Sequence, residues 1–202
     1  MTTEPTRVRD PAGTRRLVLD AAERLFAERG FAGTSIRDIA QASGVSHPLI
    51  QHHFATKEGL YRSVLRRCAD EYGERFPEAK SEVDRPVDLR AEMTRLFGFV
   101  RDHPRLMRMV GWARLEGRVD LFSEKDHKPR DAMIRRIEAA QRAGSVRDDI
   151  PAPVLATMLE ALLFSYLENR PIAPAGGGPV DADTYLELAI RLFERGAGPG
   201  GQ

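Results

Sequence analysis

Apolar positions along this chain recur every three or four residues and nowhere alternate, a spacing that predicts helices throughout. Leu17, Ala21, Leu25 and Phe26, with Val18 and Ala22 beside them, give a first helix at about 14–29, and Gly30 is placed to stop it. Ser35 followed by Asp38 reads as an N-cap with an acid returning to it, opening a short helix with Ile36, Ile39 and Ala40 on its inner face. Gly44 interrupts, Ser46 caps again, and Pro48 falls in the first turn of a third helix, where its missing N–H costs nothing. Thr56 caps a fourth helix running through Leu65, Cys68 and Tyr72 to about Phe76, long enough to link two domains. Helical patterns resume at about 87–102, 104–118, 124–143, 152–169 and 182–195, separated by Pro and Gly.

The segment Ile36 to His53 is the most informative. Two short helices that cross steeply need a small residue where their backbones meet, a left-handed turn residue, and apolar side chains that return the second helix to the core. Ala40, Gly44, Val45 and Ile50 supply these in order. The fold expected is therefore all-α, an N-terminal three-helix domain with a helix-turn-helix followed by a C-terminal helical bundle. The expected divisions are a flexible arm at 1–12, the helix-turn-helix domain at 13–60, a C-terminal helical domain at 61–196, and a disordered tail at 197–202.

The stretch Thr14 to Leu65 resembles the N-terminal domain of TetR-family repressors. The resemblance is carried by Ala21-Ala22-Glu23-Arg24-Leu25-Phe26, Gly30-Phe31, Thr34-Ser35-Ile36-Arg37-Asp38-Ile39-Ala40, Gly44-Val45-Ser46 and His52-His53-Phe54-Ala55-Thr56-Lys57-Glu58-Gly59-Leu60. Gln51 stands where the family commonly has Tyr, and Pro48 where it often has a small residue. The resemblance implies that Ser46, His47, Pro48, Leu49, Gln51 and His52 face a DNA groove and that Thr34, Ser35, His53 and Lys57 point toward phosphates. It also implies a pocket between the central helices and a homodimer through the helices at about 152–169 and 182–195. The chemistry agrees, because Gln can pair with adenine, His can donate to guanine acceptors, and Pro and Leu can pack on a thymine methyl.

A net charge of +1 excludes a protein that grips nucleic acid by charge alone, so DNA binding has to be local. Arg7, Arg9, Arg15 and Arg16 raise the question of an N-terminal arm reaching DNA, although a solvated tail is the plainer reading. Residues 1–16 hold no apolar stretch and the chain has one cysteine, Cys68, which together point to a cytoplasmic address. The only G-x-G-x-x-G match, Gly196 to Gly201, has no helix after it, and no nucleophile elbow or phosphate loop occurs. Asp102, Glu116 and Glu160 read as solvated or ion-paired helix residues, and His47, His52 and His53 lack further ligands at zinc spacing. Neither a metal nor a cofactor is therefore expected.

Phe97, Met107, Trp112, Met133, Met158, Leu162 and Tyr166 fall on several C-terminal helices and are the candidate ligand contacts, suiting a lipophilic effector. The expected partners are double-stranded, pseudopalindromic operator DNA, a small-molecule effector and a second copy of the chain, with no membrane. The competing readings are an all-helical small-molecule-binding protein or enzyme whose hairpin is incidental, and a nucleoid-type protein that binds any DNA.

Overall fold

Side-chain oxygens at the starts of helices decide where most elements of this chain begin. In the computed structural model, which describes residues 10–77, 88–118, 128–169 and 180–198, Asp10 accepts from the Gly13 N–H (2.9 Å) and Thr56 from that of Gly59 (2.9 Å). Asp88 and Asp181 cap in the same way, accepting from Ala91 and Thr184 at 3.0 Å each. Ser35 and Asp38 form a reciprocal box: the Ser35 Oγ accepts from the Asp38 N–H (3.1 Å) and the Asp38 carboxylate accepts from the Ser35 N–H (2.9 Å). The Ser35 hydroxyl, which also donates to that carboxylate, and the Ser35 N–H hold the Asp38 carboxyl below its ordinary range.

Nine helices are present among the described residues, and no strand. They are α1 (Pro11–Arg29), α2 (Ile36–Ser43), α3 (His47–Phe54), α4 (Lys57–Arg75), α5 (Leu89–Asp102), α6 (Pro104–Leu115), α7 (Lys128–Arg142), α8 (Ala152–Asn169) and α9 (Ala182–Ala197). The Asp10 cap starts α1 inside the segment expected to be an arm, so Arg15 and Arg16 belong to a helix and Arg15 lies over the Phe54 ring at 5.4 Å. Arg7 and Arg9 lie outside the described residues, as does the tail from 199. Ser46 precedes α3 as expected, yet its side chain makes no capping bond.

Three apolar cores result among the described residues, the smallest of them Tyr72, Phe99, Val100 and Met107. The first joins Val18, Leu25 and Phe26 of α1 to Ile39, Val45, Ile50 and Phe54, and takes in Tyr61 and Val64 of α4 and Met109 of α6. The second joins α5, α7, α8 and α9 through Met93, Phe97, Ile137, Leu159, Leu163 and Ile190. α4 serves two of these cores, placing Tyr61 and Val64 in the first, with Leu65 packed against it, and Tyr72 in the third. Among the described residues, no helix is long and apolar enough to cross a membrane.

Candidate functional site

Gly44 closes α2 in the left-handed conformation (φ 68°, ψ 13°), and the chain turns directly into α3. Ile50 is fully buried and Phe54 nearly so, which fixes the inner face of α3. Ser46, His47, Pro48, Leu49, Gln51 and His52 are consequently exposed, on a helix that follows a sharply turned one. His53 is half-buried, its ring beside those of His52 (5.6 Å) and Phe54 (6.1 Å). An exposed set of amide, imidazole and small apolar groups on one short helix is the equipment for reading base edges in a major groove.

The residues assigned to phosphates are mostly used inside the protein. Thr34 is 1% exposed, and its hydroxyl hydrogen is shared between the carbonyls of Gly30 (2.9 Å) and Leu25 (3.2 Å). Lys57 donates from Nζ to the carbonyls of Phe31 (2.8 Å) and Thr34 (3.0 Å) and lies over the Phe31 ring at 4.2 Å. Burial pushes its pKa below the usual lysine value. Ser35 is exposed but committed to the capping box, its hydroxyl donating to Asp38 at 2.6 Å. The turn between α1 and α2 has carbonyls that no helix satisfies, and Thr34 and Lys57 are recruited to them.

The amides of the same turn are held from the other side. Glu116, just past α6, accepts from the Ala32 N–H on Oε1 (3.0 Å) and from the Phe31 N–H on Oε2 (3.2 Å). Gly30 leaves α1 at φ 73°, ψ −179°, a conformation that side chains resist, and a Cβ there would also run into the Glu116 carboxylate and the Trp112 ring. The Tyr61 hydroxyl donates to the Met109 carbonyl at 3.2 Å, joining α4 to α6 inside the first core. Glu116 is thus a clamp on the helix-turn-helix domain rather than a solvated acid, whereas Asp102 does pair with Arg75 (3.0 Å) as the sequence suggested.

On its other side α6 lines a cavity of about 230 Å³. The walls are Leu65, Cys68, Ala69 and Tyr72 of α4, Leu96, Phe99 and Val100 of α5, Leu106, Met107 and Val110 of α6, Met133 of α7 and Phe164 of α8. Arg62, Glu92, Arg130 and Glu160 also reach it. Of the seven ligand candidates, Met107 and Met133 are in this wall and five are not. Phe97 is packed in the second core, in ring contact with Tyr166 (5.7 Å). The Tyr166 hydroxyl donates to the Val180 carbonyl (3.0 Å), and Leu162 packs on that core. Trp112 lies by Gly30, and Met158 is 50% exposed. The α4 contribution was signalled by the spacing of Leu65, Cys68 and Tyr72 on one helical face. Burial raises the Cys68 thiol to about 11, so it acts as wall and not as nucleophile. Among the described residues, no group of three or more His, Cys, Asp or Glu is placed to hold a metal.

The chain matches the description "Bacterial regulatory proteins, tetR family" over residues 18–64 and "Tetracyclin repressor-like, C-terminal domain" over residues 88–193. It belongs to the TetR family. This TetR-family chain is 31% identical, over 90% of its length and 94% of the relative's, to the HTH-type transcriptional repressor AcnR of Corynebacterium glutamicum. It is 31% identical, over 76% of its length and 78% of the relative's, to the HTH-type transcriptional repressor SCO4008 of Streptomyces coelicolor. The crystal structure of transcriptional regulator SCO4942 from Streptomyces coelicolor superposes with a TM-score of 0.70 at 21% identity, covering 93% of this chain and 99% of that one. The TetR-family chain is a DNA-binding transcriptional regulator, and the exposed face of α3 and the cavity behind α6 are its two candidate sites.

Proposed function

We propose that this regulator is a cytoplasmic, homodimeric repressor whose hold on operator DNA is released when a small lipophilic molecule fills the cavity. The observation that carries the reading is that α6 belongs to both sites: Met107 and Val110 line the cavity, while Met109 is buried in the helix-turn-helix core and Glu116 holds the α1–α2 turn. α4 is shared likewise, so two struts tied by the Tyr61 to Met109 bond connect ligand to DNA, where the sequence implied one. A ligand that fits one spacing of these helices better than another shifts the recognition helices with it.

The dimer is assigned to α8 and α9, where Val154 (41%), Met158 (50%), Leu188 (56%) and Leu192 (65%) leave large apolar side chains exposed. Leu155, Leu159 and Leu163 of α8 are instead spent on the chain's own core. DNA contact is assigned to Ser46, His47, Pro48, Leu49, Gln51 and His52, with His53 at the edge.

The test begins by selecting bound fragments from the source genome and footprinting them. Two protected half-sites about one helical turn apart are expected, and a single unrepeated half-site would count against the dimer. Met107→Trp, which takes up part of the cavity, should abolish further relief by the effector that the parent answers to. Relief that persists in a folded Met107→Trp protein would remove the cavity from the mechanism.

A further inference from the structure

Resting on the reading of the cavity as the effector site, the charged groups in its wall narrow the class of molecule it takes. Three of the four make hydrogen bonds within the protein. Glu92 accepts from the Arg136 guanidinium (2.7 Å), from Arg95 and from the Tyr72 hydroxyl (3.4 Å), which fills its carboxylate. Arg62 donates to Glu58 at 3.1 Å, and Arg130 donates to the Thr157 hydroxyl at 2.8 Å.

Glu160 differs. Its side chain is 21% exposed, it lines the cavity, and its nearest cation, Arg130 Nη1, stands 3.6 Å away, outside hydrogen-bond distance. Among the described residues no donor reaches its carboxylate within that distance. Glu160 is paired with Arg130 by charge alone, so the lone pairs of its carboxylate stay open to a donor that enters the cavity. Burial raises its carboxyl above the ordinary value, opposed by the nearby Arg130 and Arg114 guanidinium groups. Around it the wall is hydrocarbon and aromatic: Leu65, Leu96, Phe99, Val100, Val110 and Phe164.

We infer that the cavity takes a lipophilic amine or alcohol, its body among the apolar side chains and its N–H or O–H donating to the Glu160 carboxylate. A ligand carboxylate has no donor to give and would meet the Glu160 charge at close range. Arg130 and Arg114 offset part of that repulsion, but Arg130 is already paired with Glu160 at 3.6 Å and gives an N–H to Thr157, so the donor-bearing head group keeps the advantage.

The test is calorimetric titration of the full-length protein with octylamine, 1-octanol and octanoate at pH 7. The amine and the alcohol are expected to bind at least about tenfold more tightly than octanoate, the loss anticipated for one charge-assisted hydrogen bond. Their order relative to each other shows whether the head group is cationic or neutral. In Glu160→Leu that preference should collapse, with octanoate binding as well as before or better, which also shows that the cavity is intact. Octanoate equal to or tighter than the two donors in the parent, or an unchanged ranking in Glu160→Leu, overturns the assignment of the head group alone. Binding by none of the three refutes the cavity as a ligand site, and the reading beneath it falls as well.

Discussion

Replacing Glu116 by Ala removes a contact that spans 84 and 85 residues of sequence and joins the end of α6 to the α1–α2 turn. Two backbone N–H groups, those of Phe31 and Ala32, lose a carboxylate acceptor at 3.2 and 3.0 Å. A hydrogen bond to a charged acceptor is worth about 1.5–3 kcal/mol when buried. Phe31 is half-buried and Ala32 is exposed; water replaces the acceptor readily at the second, so the pair together should cost about 2 kcal/mol. For a chain of this length that lowers the melting temperature by roughly 4–8 °C. Glu116→Gln keeps one acceptor oxygen and should lose about half as much. The local signature separates this from general loosening: in native-state hydrogen exchange the Phe31 and Ala32 amides should exchange faster, while the buried Leu159 and Leu163 helix amides keep their protection. A Glu116→Ala protein within about 0.3 kcal/mol of the parent in urea unfolding, with unaltered exchange at both amides, would refute the clamp.

Gly30→Ala meets the same clamp from below. At φ 73°, ψ −179°, with its new methyl aimed at the Glu116 carboxylate and Trp112, it should cost about 2–3 kcal/mol in denaturant unfolding, and a loss under about 0.5 would show that the turn relaxes freely. The triple change His47→Ala, Gln51→Ala and His52→Ala touches only exposed positions, so stability should stay within about 0.5 kcal/mol. Operator affinity should nevertheless fall at least roughly tenfold, and an unchanged footprint would take α3 out of the groove. Burial raises the Glu160 carboxyl above its ordinary 4.5, so from that value up to the folded one the native state holds the extra proton, stability falls as pH rises, and the penalty persists at pH 7. Glu160→Gln should therefore melt above the parent at pH 7, with the gap closing below pH 4.5; a gap that widens in acid would reverse the sign of the argument.

The parts of this molecule that were legible in the sequence are those decided within one or two turns of chain. Ser35 with Asp38, Thr56 with Gly59, and Gly44 before Val45 each announce a local geometry, and the helix ends follow them closely. The exposed face of α3 was legible for the same reason, since Ile50 and Phe54 fix which side of eight residues is inward. What the spacing did not carry is which helix faces meet. Phe97, Leu162 and Tyr166 have the same apolar character as Leu96, Phe99 and Phe164, and only the packing of the helices decides that the last three, besides packing on a core, also line the cavity. Polar residues were misread by the converse error. Thr34, Lys57 and Glu116 carry groups suited to phosphate or water, but the α1–α2 turn leaves carbonyls and amides with no helical partner, and those residues satisfy them. The turn is therefore held on both of its polar faces by side chains from α4 and from the end of α6, two of the helices that wall the cavity. A change in their spacing therefore bears on the turn and the start of α2, as well as on α1 and α3, against which these two helices pack directly.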